Sequence, residues 1–345
     1  MSLWSEIHEQ PEVLKRLLRT QAVHVAEVAR EITARRPEWV LLAARGSSDN
    51  AGLFAQYLWG ARNRLSVAMA TPSLFTHYGT PPRLDGALVV AISQSGQSPD
   101  VVSVVTEARR QGAPTLVITN EPSSPLAAAA DMVIPTGAGA ELAIAATKTY
   151  TSQLLAVAML SAALPGGEDD GAALARVPGA ARATLQLDEA IASVAARYTT
   201  MPRCVVLGRG FHYATACEWA LKLEELTYVM AEPYSTADFR HGPAAMAAPG
   251  FPVLAVVPAG AVYRDHLALL ATLVNERGVD LVALSDEKEA LALARSPIRL
   301  PRLLPEWLSP ITAVLAAQLW SYRLAEAMGR DTEAPRGLSK VTETW

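Results

Sequence analysis

Residues 87–92 read ALVVAI and continue directly into SQSGQS at residues 93–98. A continuous apolar run followed by glycine and hydroxyl residues is typical of a buried strand that ends in a turn before a helix. Similar short apolar runs, separated by helical stretches, lie at Val40–Ala44, Thr115–Thr119 and Met132–Pro135. This alternation predicts parallel strands with crossover helices, because parallel strands need a long connection.

The second half of the chain repeats this order of strands. The matching apolar runs are Cys204–Leu207, Leu254–Val257, Leu281–Leu284 and Ile298–Pro301. They follow the first set at an offset of about 165 residues, although few residues are identical, so the repeat rests on pattern and spacing. The sequence therefore predicts a duplicated α/β fold of two tandem doubly wound parallel sheets, each in three layers with helices on both faces. Ligands are expected beyond the carboxyl ends of the strands.

Changes in composition along the chain suggest where the domains begin and end. Residues 1–35 have a helical pattern and form an N-terminal helical segment. The first domain is predicted at 36–164 and the second at 196–330. Between them, residues 165–195 are expected to form a linker and a helix, because proline, glycine and acidic residues cluster there. Residues 331–345 form a C-terminal tail that is too short for a core of its own.

The composition argues against several classes of protein. Hydrophobic residues make up 50% of the 345 residues, which favours packed cores over disorder. The net charge is −4 with no basic run, so no nucleic-acid partner is expected. No apolar stretch approaches the ~20 residues of a membrane span and no signal-like core is present, so a cytoplasmic location is expected. No His/Asp/Glu cluster has metal-ligand spacing, and neither a metal nor a cofactor is predicted.

Two strand-to-helix turns of the first half are rich in small hydroxyl residues, at 46–48 (GSS) and 93–98. Glycine lets the backbone approach a ligand, the next helix presents unpaired N–H groups, and hydroxyls add donors that suit a phosphate. Helix capping would be enough to explain Ser48 or Ser98 alone. The matching turns of the second half lack hydroxyl residues, so a phosphate site is expected in the first domain only.

Ionisable residues gather in the second half and in the tail. Lys222 and Glu225 lie three residues apart on a predicted helix and project from one face. A surface ion pair is the simplest explanation of this spacing. His241 stands beside Gly-Pro, where a histidine is more often only a turn residue, and Lys340 near the end would ordinarily be a solvated lysine.

The string Ser93–Gly96 resembles the signature of SIS (sugar isomerase) domains, and the wider pattern is similar to the isomerase half of glucosamine-6-phosphate synthase. The likeness covers nearly the whole chain. Its other motifs are Glu141–Gln153, Leu207–Gly210, Ala220–Leu223, Arg240–Pro243 and Pro335–Lys340. The resemblance implies that the sugar phosphate is held by Ser47, Ser48, Ser93, Gln94, Ser95 and Ser98, and that the backbone near Ile144 lines the sugar.

The same resemblance gives roles to the four ionisable residues. Glu225 matches the base that moves a proton between C1 and C2 of the sugar, and His241 matches the histidine that opens the ring. Lys222 would stabilise charge that develops on the sugar oxygens. Lys340 matches a tail lysine that lines the open-chain sugar and can form a Schiff base with a keto sugar. The family's matching histidine comes from the partner subunit, so a homodimer is expected, with His241 in the opposite site.

Three features separate the chain from the synthases of this family. Glu224 stands where they usually have lysine, and the tail lacks the extra residue that they place after the lysine corresponding to Lys340. The chain begins at the isomerase half and has no cysteine before Cys204, so it is expected not to release ammonia from glutamine. The tail looks more like the stand-alone deaminases. The predicted reaction is therefore glucosamine 6-phosphate plus water to fructose 6-phosphate plus ammonia.

Two kinds of alternative stay open at this point. A fructosamine-phosphate deglycase or a galactosamine-6-phosphate deaminase/isomerase would keep the same fold and most of the same residues. A non-catalytic sugar-phosphate sensor would keep the serine loops but would need neither Glu225 nor His241. The presence of both residues disfavours the sensor.

Overall fold

The computed structural model describes residues 2–166 and 170–340, which divide into two compact units. The first unit consists of residues 9–142, residues 146–175 and the tail from Ser339. The second consists of residues 176–338, the N-terminal residues up to His8 and the segment Ala143–Ala145. Residue 1, residues 167–169 of the predicted linker and residues 341–345 of the predicted tail lie outside the described residues.

The first unit is built on a parallel sheet of five strands in the order β2-β1-β3-β4-β5. The strands are β1 (Trp39–Ala43), β2 (Ser66–Met69), β3 (Ala87–Ser93), β4 (Thr115–Thr119) and β5 (Met132–Pro135). Every residue of β3 is buried, and Val90 pairs with Leu42 of β1 and Leu116 of β4. A central strand covered on both faces needs a continuous apolar run, which explains why this run identifies the fold.

Helices cover both faces of this first sheet. They are α1 (Leu3–Arg35), α2 (Ser47–Asn63), α3 (Ser73–Thr76), α4 (Pro99–Arg110), α5 (Pro125–Ala129), α6 (Lys148–Ala163) and α7 (Gly171–Ala175). Val104 of α4 packs in one core cluster with Leu41 and Val89. Gly52 of α2 lies against Leu42, whose side chain points to the opposite face because side chains alternate along a strand.

The second unit repeats this plan with the strand order β10-β9-β8-β6-β7. Its strands are β6 (Arg203–Gly208), β7 (Met230–Ser235), β8 (Pro252–Val256), β9 (Asp280–Ser285) and β10 (Ser296–Arg299). Its helices are α8 (Val177–Leu185), α9 (Asp188–Ala195), α10 (Tyr213–Thr227), α11 (Thr236–Arg240), α12 (Tyr263–Asn275), α13 (Lys288–Leu293) and α14 (Ser309–Ala327). In both sheets the first strand lies between the second and the third. The predicted duplication of a doubly wound α/β fold is confirmed.

Two strands and several helices differ from the sequence-based expectation. Strands β2 and β7 were not predicted, because neither is a continuous apolar run: β2 alternates exposed and half-buried positions, and β7 contains the exposed Glu232 and the half-buried Pro233. The segment expected to be a linker and a helix contains α7, α8 and α9 among its described residues. Gly171 begins α7, and Pro178 and Gly179 lie in the first turn of α8, so these residues did not prevent helix formation.

Helices α6 and α14 are buried on nearly all sides. Nearly every residue of both is buried, which is the arrangement expected for a helix enclosed within a protein core. Within residues 2–166 and 170–340, no helix combines the length and the apolar character needed to cross a bilayer.

The strand order places a binding edge in each unit. In the first sheet β1 lies between β2 and β3. The chain adds β2 on one side of β1 and then adds β3, β4 and β5 on the other side. The loops after β1 and β3 flank this switch point, where open α/β sheets bind their ligands. These loops are the two hydroxyl-rich turns at 46–48 and 93–98. They are more than forty residues apart in the sequence, and the strand order places them at the same edge of the sheet.

Candidate active site

The loop after β1 enters helix α2 through a glycine. Gly46 occupies the N-cap position with φ of 55° and ψ of −133°, a conformation that an L-residue with a side chain rarely adopts. Ser48 is buried inside the first turn, and its Oγ accepts a hydrogen bond of 3.0 Å from Nε2 of Gln153. Because the N-cap is Gly46 and carries no side-chain cap, helix capping does not explain Ser48.

The loop after β3 is held by its own serines. Oγ of Ser93 accepts a bond of 3.0 Å from the backbone N–H of Gly96, and Oγ of Ser95 accepts one of 3.3 Å from Gln97. Each hydroxyl uses its oxygen there, so its hydrogen can be donated to a ligand. Gly96 has φ of 63°, and a Cβ on it would stand 2.1 Å from Oγ of Ser124, so the turn requires glycine. Ser98 occupies the N-cap of α4, but its side chain makes no capping bond.

A cleft of about 650 Å³ opens beside this second loop, within the first unit. Its lining consists of Gln94, Ser95, Gln97, Asn120, Glu121, Gly137, Gly139, Ala140, Glu141 and Lys340. The structure thus brings the predicted residues Gln94, Ser95 and Lys340 to one cleft. The other predicted phosphate residues belong to the same two loops but not to the lining of this cleft; they are Ser47, Ser48, Ser93 and Ser98.

Glu141 is a site residue that sequence reasoning missed. Its side chain is fully buried, and Nζ of Lys340 donates to its Oε2 at 2.8 Å. Burial opposes ionisation of this carboxyl, but the Lys340 ammonium and the bonds from Thr147 and Thr149 outweigh it and hold the pKa of Glu141 below its usual value. The carboxylate therefore stays charged. The sequence signal was its place at the start of a family motif.

A buried lysine and two carboxylates lie on helix α10 of the second unit. The Lys222 side chain is 1% exposed, and its Nζ lies 3.5 Å from Oε1 of Glu218 and in direct contact with the Glu225 carboxylate. Glu218 is fully buried, whereas Glu225 is 20% exposed. Lys222 therefore does not form the surface ion pair that its spacing first suggested. Glu218, which sequence reasoning also missed, stands four residues before it on the same face.

His241 and Ile144 also belong to the second unit. His241 ends helix α11, where its backbone N–H donates to the carbonyl of Asp238 at 3.0 Å, and its side chain is exposed. Ile144 is half-buried, and the adjacent Ala143 N–H donates to the buried carboxylate of Glu6 at 3.2 Å. A backbone hydrogen bond to Asp238 thus holds His241, and the Glu6 carboxylate holds the backbone next to Ile144.

A family model for the SIS domain matches residues 35–163 and 198–327. The chain belongs to the SIS domain family. It is 33% identical over 347 residues to glutamine–fructose-6-phosphate aminotransferase (isomerizing) of Thermococcus kodakarensis, which covers 97% of this chain and 56% of that protein. The chain thus spans little more than half the length of this relative.

Two solved structures resemble this SIS protein over almost its whole length. The C-terminal domain of glucosamine-fructose-6-phosphate aminotransferase from Francisella tularensis has a TM-score of 0.87 and 27% identity, covering 96% of this chain and 98% of that one. Glucosamine-6-phosphate deaminase from Thermotoga maritima has a TM-score of 0.80 and covers 100% of both chains. At 20% identity, the second likeness shows the fold alone.

The binding edge of the second SIS domain is occupied by the protein's own carboxylates. After β8, the N–H of Ala259 donates to Asp286 at 2.7 Å, and the N–H of Ala261 donates to both oxygens of Glu306 at 3.0 Å. These amides follow the strand that corresponds to β3. Because two internal anions already engage them, this edge supports the expectation of a phosphate site in the first domain only.

Within the part of the chain that the structure describes, no group of three or more His, Cys, Asp or Glu side chains could hold a metal ion.

Proposed function

We propose that this SIS protein is a phosphosugar isomerase that acts on an amino-sugar 6-phosphate, most simply glucosamine 6-phosphate plus water to fructose 6-phosphate plus ammonia. The observation that carries the proposal is Glu225. It is a partly exposed carboxylate in contact with the buried ammonium of Lys222 and therefore has a fixed position from which to exchange a proton.

The reaction follows from moving one proton. In the open-chain sugar the C2–H bond breaks, Glu225 takes the proton, and the electron pair forms a C1–C2 double bond while the carbonyl oxygen is protonated. Return of the proton to C1 leaves an imine at C2. Water adds to this imine and ammonia leaves, which gives the ketose. Lys222 supports developing negative charge on the sugar oxygens, and His241 serves ring opening.

The choice of deamination rests on sequence. Glu224 puts a carboxylate where the synthases of the family usually have lysine, and the tail after Lys340 matches the stand-alone deaminases better. The phosphate end of the substrate is assigned to the first domain, where Ser93 and Ser95 can donate their hydroxyl hydrogens. The cleft beside these serines also contains Lys340.

A panel of sugars tests this proposal. Ammonia release and ketose formation are measured with glucosamine 6-phosphate, galactosamine 6-phosphate, fructosamine 6-phosphate and unphosphorylated glucosamine. We expect turnover of glucosamine 6-phosphate and none of the unphosphorylated sugar. Preference for the galacto sugar or for the fructosamine would move the assignment to the corresponding deaminase or deglycase. Tight binding of a sugar phosphate without ammonia release or isomerisation would contradict an enzyme and favour a sensor.

Replacement of Ser93 and Ser95 by alanine should selectively weaken the binding of phosphorylated sugars. Hydrogen bonds to a charged group contribute roughly 1.5–3 kcal/mol each, so the affinity for sugar phosphates is expected to fall far more than that for the same sugars without phosphate. Isothermal titration with both ligand types measures this difference. Equal losses for both would mean that the two serines only hold the loop.

We further propose that the enzyme is a homodimer in which His241 acts in the site of the partner subunit. The exposed side chain of His241 at the end of α11 supports this arrangement. Mixing inactive Glu225→Gln with inactive His241→Asn under subunit exchange should then restore up to about a quarter of the wild-type activity, since each heterodimer contains one intact site. Heterodimers that form but show no activity would reject the shared site.

A further inference from the structure

Glu141 links the C-terminal tail to the start of a buried helix in the first domain. Its Oε1 accepts the backbone N–H groups of Thr147 and Thr149 at 2.9 and 3.1 Å, next to the first turn of α6. Its Oε2 accepts hydrogen bonds from Oγ1 of Thr149 at 2.7 Å and from Nζ of Lys340 at 2.8 Å. One carboxylate thus satisfies helix N–H groups and pairs with a tail lysine 199 positions away.

The threonine bonds fix the carboxylate whether or not the tail is present. Four donors from Thr147 and Thr149 hold both oxygens, and the side chain has no exposed surface. Together with the Lys340 ammonium, these donors offset burial and hold the pKa of Glu141 below its usual value. Glu141 is therefore a charged acceptor in a fixed position, and an ammonium can bind to it without a rearrangement of the carboxylate.

The tail lysine, Lys340, needs a binding partner in a fixed position. The Lys340 side chain is 25% exposed, follows a turn at Gly337 and lies at the end of the described chain. A lysine on a terminal segment has a large rotamer entropy to lose before it can act at one place. The bond to Glu141 restricts it to the cleft that Gln94 and Ser95 also line.

We propose that Glu141 is a positioning residue that holds the Lys340 ammonium in the phosphate-loop cleft, so that Lys340 meets the sugar phosphate from a preset place. This proposal rests on the proposed function, because it assigns Lys340 a place in that site. In this proposal Glu141 acts through Lys340.

The first test replaces Glu141 with glutamine in the full chain. The amide keeps the shape and an acceptor for the threonine donors but loses the charge that holds the ammonium. We expect kcat to fall roughly tenfold, as for loss of a hydrogen bond between charged groups. The matched control is Asp131→Asn, because Asp131 also accepts a threonine N–H and hydroxyl, from Thr115, and pairs with a cation, Arg109, away from the cleft. Its kcat should change less than about twofold.

A double-mutant cycle shows whether Glu141 acts through Lys340. In a Lys340→Met background, adding Glu141→Gln should change kcat by less than about twofold, because the partner is already gone. Independent losses that multiply in the double variant would overturn the proposal. If Glu141→Gln does not fold, Glu141→Asp takes its place, since the shorter side chain keeps the charge but withdraws the carboxylate from Nζ.

Chemical labelling of Lys340 gives a readout that needs no activity. Reductive methylation with formaldehyde and cyanoborohydride, followed by mass spectrometry, compares Lys340 with the exposed Lys288 as internal reference. We expect labelling of Lys340 to become several-fold faster in Glu141→Gln and to stay unchanged in Asp131→Asn. Unchanged labelling of Lys340 overturns the proposal even if the sugar panel succeeds. Faster labelling in a protein that turns over no amino-sugar phosphate would instead remove only the proposed function.

Discussion

Glu225→Gln should lower turnover at least ~100-fold while leaving sugar-phosphate binding largely intact. The amide keeps the shape of the side chain but cannot carry the proton between C1 and C2. Folding should survive, because Lys222 keeps its ion pair with the buried carboxylate of Glu218. Steady-state kinetics for kcat, with calorimetry for affinity, measure the two effects separately.

The control for this experiment is the neighbouring carboxylate. Glu224→Gln removes a charge one residue away on the same helix, from a side chain that is exposed. If the loss in Glu225→Gln came from the local electrostatic field, Glu224→Gln would show a similar loss. A folded Glu225→Gln enzyme with near-normal kcat would contradict the proton-transfer mechanism.

Lys222→Met should strongly destabilise the second domain. It removes the ammonium that lies between the carboxylates of Glu218 and Glu225, of which Glu218 is fully buried. Breaking a buried ion pair by removing one partner typically costs about 3–5 kcal/mol of unfolding free energy, because a buried charge loses its compensation. Denaturant unfolding at neutral pH measures this loss.

A second replacement separates the charge effect from packing. In Lys222→Met/Glu218→Gln the buried negative charge is also removed, so at least half of the lost stability should return. A single variant that loses less than about 1 kcal/mol would show that Lys222 contributes little to the fold.

The sequence predicted best what depends on local pattern. The run at 87–92 identified the central strand β3, and its hydroxyl-rich extension identified one loop of the binding edge. The edge strands β2 and β7 were missed because exposure removes the apolar signal on which the prediction relies. Local pattern therefore identifies strands that form a short apolar run and misses strands, such as β2 and β7, that do not.

Burial of charged side chains could not be predicted in the same way. Nothing near Glu141 in the sequence indicates that it binds Lys340, because the two are distant in the chain and meet only after folding. Glu218 resembles any helix-surface glutamate until the structure shows that α10 buries that face. The charges at the candidate site were thus recognised as motifs, while their partners required the tertiary structure.

The carboxylates of Asp286 and Glu306 affect how the stability of the second domain depends on metabolite concentration. In the proposed site of the first domain an external phosphate would stabilise the binding edge by mass action, with a gain in free energy that grows with the logarithm of ligand concentration. Asp286 and Glu306 are covalently part of the second domain, and their bonds to Ala259 and Ala261 are present at any ligand concentration. Under the proposed function, the stability of the first domain would vary with sugar-phosphate supply, whereas these internal bonds of the second domain would not.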